Sequence, residues 1–147
     1  MNSRDDQEIP MKLDIAQAIL AATLADAHKR GFNPLAVAVM DARGALRALA
    51  AEDGTSTKRA EIAMGKAHAA VAMGFGTRDL AKRAPQFLAA VTHAVGGLFV
   101  PVPGGVLVRD EAGTILGSVG VSGESSDNDE LAAVAGITAQ GLKADGG

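Results

Sequence analysis

Three histidines, one lysine and one acidic run carry most of the chemistry open to this chain of 147 residues. His28, His68 and His93 each offer an imidazole, the commonest metal ligand and a ready acid or base near neutral pH. They fall in three separate helical segments, so no HxxxH or HxH pair supplies local metal-site spacing. Lys66 sits inside an apolar, small-residue stretch, AEIAMGKAHAAVAMG. A lysine in that setting ordinarily snorkels to water. Turned inward, it could pair with Asp129 or Glu130, or hold an anionic ligand. Glu124, Asp127, Asp129 and Glu130 form an acid cluster suited to a hard cation, but without the DxDxDG spacing of a calcium loop. The plainer role for that cluster is a capped, solvated helix start.

Composition removes several alternatives. The chain has no Cys, which excludes disulfides, thiolate zinc sites, cysteine-ligated iron–sulfur clusters and cysteine nucleophiles, and fits a cytoplasmic setting. Fourteen Lys and Arg stand against seventeen Asp and Glu. That balance, with neither Trp nor Tyr, argues against a nucleic-acid partner. No apolar run is long enough to predict a membrane span. Neither a GxSxG elbow, a Walker loop nor a GxGxxG after a strand occurs, so hydrolase, NTPase and dinucleotide readings lack support. Thirty Ala and eighteen Gly leave a core that gains little area per side chain and must rely on close backbone approach.

The elements that position these residues follow from periodicity and punctuation. Residues 1–11 predict a flexible, charged tail, and 12–147 a single domain. Residues 14–30 read as a helix, with Asp14 as N-cap and Gly31 as stop. LAVAVMD (35–41) and ALRALA (45–50) flank a short loop ending at Gly44 and predict an antiparallel hairpin. A helix over 56–75 follows, then shorter helical pieces beginning near Thr77 and Pro85. VLVRD (106–110) and ILGSVGVSG (115–123) form a second hairpin across a turn containing Gly113. The last helix is expected over 127–143, capped by Asp127 or Asn128, with Leu131 on or near its buried face. Hairpins rather than βαβ crossovers imply an antiparallel sheet covered by helices, an α+β fold.

The ordered set LAVAVMD, Asp53-Gly54, Lys66-Ala67, Gly104-Gly105, GSVGVSG, Asp129-Glu130 and Ala135-Gly136 resembles the haem-binding GlcG/HbpS-like family, which includes the C-terminal domain of PduO-type proteins. The resemblance spans about residues 12–143. It implies a three-layer α/β/α sandwich around an antiparallel sheet of about five strands, in a profilin-like arrangement. It also implies self-association into dimers or larger assemblies and a small-molecule ligand, with haem as the named possibility.

Under that resemblance His28 is the first choice of metal ligand, since a haem at a subunit interface needs one accessible axial donor per subunit. His68 and His93 follow it. Lys66, Gly104, Gly105, Asp129 and Glu130 complete the implied ligand-binding set. Two other readings stand beside binding: an enzyme acting on a small oxo- or hydroxy-acid through Lys66, Asp129 and Glu130, and a non-catalytic assembly subunit. One departure is local. Where relatives carry Arg-Met-Asp-Gly, this chain has Ala51-Glu52-Asp53-Gly54, and so lacks a forked cation suited to a carboxylate or propionate.

Overall fold

The computed structural model describes residues 11–147. In chain order the elements are α1 (Leu13–Lys29), β1 (Ala36–Asp41), β2 (Leu46–Ala51), α2 (Arg59–Met73), α3 (Thr77–Leu80), α4 (Pro85–Ala94), β3 (Gly105–Arg109), β4 (Ile115–Ser122), α5 (Ser126–Thr138) and β5 (Lys143–Asp145). Five strands form one antiparallel sheet in the order β2-β1-β4-β3-β5. Helices α1 and α5 cover one face and α2 the other, which is the expected three-layer sandwich.

The two faces of the sheet differ in residue size, and this explains the odd composition. Side chains alternate along a strand. Val37 and Val39 of β1, Val106 and Val108 of β3, and Val119 and Val121 of β4 all point into the core beneath α1 and α5. The opposite face presents Ala36, Ala38, Gly105 and Gly120, with Ala63 packed on the two alanines, and the larger Met40 and Leu107 stand only in the next row, on either side of Ser118. Helix α2 therefore lies almost on the sheet. A Cβ on Gly120 would strike the Ala63 carbonyl oxygen, and Ser118 Oγ donates to the Ala67 carbonyl at 2.6 Å. The α1–α5 contact is similarly close, because a Cβ on Gly136 would collide with the Thr23 hydroxyl. Small residues here set interlayer distance, replacing side-chain area with close packing.

Several local expectations need correction. Lys12, not Asp14, occupies the N-cap of α1, and the Asp14 carboxylate accepts from the Ile15 N–H within the first turn. Ser125 caps α5 by accepting from the Asn128 N–H at 3.2 Å, displacing Asp127 and Asn128 from that role. Helix α5 ends at Thr138, and the chain then turns back so that residues 143–145 pair with β3 as a fifth strand. Leu131 faces outward, while Ala132, Ala133, Gly136 and Ile137 form the buried side. Met11, assigned to the tail from sequence, is fully buried in the core. The rest of that tail lies outside the described residues.

Candidate functional site

The lysine that stood out in the sequence is turned inward. Lys66 Nζ donates to Asp129 Oδ2 at 2.9 Å and to the Val121 carbonyl at 2.9 Å, with only 3% and 2% of the two charged side chains exposed. Asp129 Oδ1 in turn accepts from the Glu124 N–H at 2.9 Å. Burial pushes the Lys66 ammonium below its ordinary value and lifts the Asp129 carboxyl above its own, each opposed by the partner's charge. Two glycines make room for the lysine. A Cβ on Gly104, where φ is +120°, would lie 2.8 Å from Nζ, and one on Gly105 would strike the Lys66 carbonyl. Lys66, Gly104, Gly105 and Asp129 thus meet in one place, as a clasp joining α2, β4 and the first turn of α5.

Glu130 does not join that clasp. Its carboxylate receives a forked pair of bonds from Arg78 Nε and Nη2, at 3.0 and 2.8 Å to the same oxygen, and Arg78 also pairs with Asp127. These acids raise the guanidinium pKa still further. Thr77 does not cap α3. Its hydroxyl accepts from the Gly105 N–H at 2.8 Å and donates back to the Gly105 carbonyl at 3.2 Å, pinning the glycine pair from a second side.

His28 lies on the far helical layer, 66% exposed near the end of α1. Its Nε2 is 2.5 Å from Glu52 Oε2, while Glu52 Oε1 accepts from the Leu35 N–H at 2.9 Å. Glu52 lines an open cavity of about 430 Å³ together with Leu24, Ala50, Ala51 and Asp53. Glu52, standing where the resemblance leads one to expect methionine, is therefore the residue that holds His28. Sequence pointed to the substitution, but nothing in it showed that Glu52 reaches a helix twenty-four positions away.

His68 occupies a different cavity, on the α2 side. Its Nδ1 is 2.7 Å from the Leu98 carbonyl oxygen, and the ring lines a space of about 300 Å³ between α2, the β1–β2 turn and the end of α4. His93 is exposed on α4. Among the described residues no three His, Asp or Glu side chains converge as a metal site. No helix among them is long and apolar enough to cross a membrane.

A five-stranded antiparallel sheet between two helical layers is also the class of domain found in three solved structures. A PduOC:heme complex superposes with a TM-score of 0.80 at 24% identity, covering 90% of this chain and 96% of that one. Protein ORFY of Klebsiella pneumoniae gives 0.80 at 23%, covering 94% of each chain. A double mutant of HbpS from Streptomyces reticuli gives 0.78 at 30%, covering 90% and 88%. No curated protein matches. Residues 11–138 match the family described as Haem degrading protein HbpS-like, and the chain belongs to that family.

Proposed function

We propose that this chain is an oligomeric haem-binding protein of the cytoplasm, in which His28 and the cavity between α1 and β2 meet the haem and a second copy covers its other face. The observation that carries this reading is an exposed imidazole held by Glu52, a residue that lines an open cavity with Leu24, Ala50 and Ala51, on a chain of an HbpS-like family. The donor set fits. Leu24, Ala50 and Ala51 suit a porphyrin face, and His28 can supply an axial nitrogen once released from Glu52. Glu52 and Asp53 would repel propionates, so these would point away from the two acids, toward solvent or the second copy.

Bound haem would supply redox-capable iron and the extended aromatic surface this chain lacks. The protein's own part is to bind and orient it. In this reading Lys66, Gly104, Gly105 and Asp129 act from behind, holding the framework, and Glu130 fixes Arg78. Their burial supports binding over an enzyme that uses Lys66 on a substrate. Self-association is supported by Leu46 and Leu49 on the free edge strand and by α4, which buries none of its residues and leaves Phe87 exposed.

The test is a haem titration followed in the Soret band, with sedimentation of the complex. A saturating Soret shift that changes in His28→Ala, on a species larger than one chain, is expected. No saturation, or a spectrum indifferent to His28→Ala, rejects the assignment.

A further inference from the structure

The cavity at His68 has a different character from the groove at His28. The Leu98 carbonyl accepts a hydrogen bond from Nδ1 at 2.7 Å, so that nitrogen carries the proton. In the neutral ring Nε2 is then a lone-pair acceptor of fixed orientation. Among the described residues Nε2 makes no hydrogen bond, yet it is not an orphaned buried atom, so it keeps access to solvent. The glycine turn sits directly on this edge of the ring. A Cβ on Gly44, where φ is +81°, would come within 3.0 Å of Cδ2 and 3.4 Å of Nε2.

The walls are small and apolar: Ala42, Val71, Ala72, Ala94 and Val95. Arg43 stands at the cavity too, but its guanidinium is 80% exposed and already paired with Asp41 at 3.0 Å. The space therefore holds a directional acceptor in His68 Nε2, while the one cation of its lining stands out in solvent beside Asp41. Its volume of about 300 Å³ lies at the small end of ligand sites, where cavities of about 150 Å³ already admit a benzene ring. A porphyrin is too large for it.

We propose that this cavity is a second binding site, for a neutral single-ring arene with one hydroxyl, a phenol, whose O–H donates to His68 Nε2 while the ring packs on Val71, Ala72 and Val95. A phenol matches each observation: one donor for one acceptor, a flat apolar body for small walls, and no charge. Amines would enter charged with no carboxylate in the lining to meet them, and carboxylates would find its one cation solvated at the rim rather than inside. The site goes beyond the haem reading and stands without it.

Phenol itself is the probe. The chain contains neither Trp nor Tyr, so phenol fluorescence and absorbance are read against almost no protein signal. Saturation at one phenol per chain near the millimolar range is expected for so small a ligand. At saturation the His68 Nε2 nitrogen resonance should move while those of His28 and His93 stay in place. Anisole, which keeps the ring but lacks the donor, should bind about tenfold more weakly, as should phenol to His68→Phe. Ala72→Leu, at an exposed helix position, fills the cavity while sparing the imidazole and should abolish binding with the fold intact. Absence of saturation overturns the site. Equal binding of anisole, or tighter binding of benzoate, overturns the ligand class. Unchanged binding by Ala72→Leu overturns the location.

Discussion

Lys66 and Asp129 form a charged contact of 2.9 Å across 63 positions of sequence, sealed from solvent on both sides. Removing one partner leaves the other charged and uncompensated in a low-dielectric setting. Lys66→Met should therefore lower stability by about 3–5 kcal/mol. Adding Asp129→Leu to the same chain should recover much of that loss, because replacing a whole buried pair is far cheaper than halving it. Urea midpoints of the two variants measure the difference. Equal losses would show that the clasp works through packing alone.

The approach of α2 to the sheet makes Gly120 intolerant of even one methyl group. Gly120→Ala should cost about 1–3 kcal/mol, since the new carbon meets a backbone carbonyl that cannot rotate away. Gly113, in an open turn where nothing lies near its missing Cβ, provides the control, although its φ of +87° carries strain of its own. Thermal unfolding should rank Gly120→Ala as the less stable variant.

Two carboxylates set part of the acid response. Burial would raise Asp41, but bonds from the Arg43 side chain and from the Ala45 and Arg43 N–H groups outweigh it and hold the carboxyl below the ordinary aspartate value. Glu124 is lowered by the Asn33 N–H and the Asn128 amide. A depressed carboxylate contributes stability above its unfolded-state pKa and loses it as pH falls through the folded-state one. Stability from these groups should therefore fall as pH drops through and below the usual carboxylate range. Asp129, raised by burial, works in the opposite sense. Denaturant midpoints at descending pH should show a shallower decline for Asp41→Asn than for the parent chain.

Glu52 and an iron atom would compete for the same nitrogen of His28. Glu52→Gln can still accept from the Leu35 N–H through its amide oxygen, while its hold on Nε2 weakens. Haem association followed by stopped-flow absorbance should accelerate about two- to fivefold, the range open to a solvent-screened pair worth up to about 1 kcal/mol. Slower association would mean that Glu52 presents the imidazole rather than restraining it.

The two hairpins, α1 and the core of α2 were readable because glycine turns separate runs whose periodicity is unambiguous. β5 was not. Lys143, Ala144 and Asp145 carry no strand signature, and only the open edge of β3 makes them one. At the start of α5, Ser125, Asp127 and Asn128 are all good caps, so a cap was legible while its owner was not. Leu131 was misplaced because alanine and glycine neighbours offered no larger residue to mark the buried side. In the candidate site, a lysine among alanines ordinarily snorkels to water, and that expectation fails here because Asp129, one of the two carboxylates named for the inward alternative, meets it in the interior. The pairing of His28 with Glu52 depends on how α1 lies against the end of β2, a tertiary fact without a local signal.

Because the backbone of α2 rests almost directly on Gly120, this face of the sheet has no depth to give to a solute. New chemistry in such a domain can be gained at its perimeter, where helix ends, turns and edge strands meet, without reopening the contact that sets the layer spacing. Side chains there can change without disturbing the packed interior. One architecture can then carry different ligands by changing only its borders.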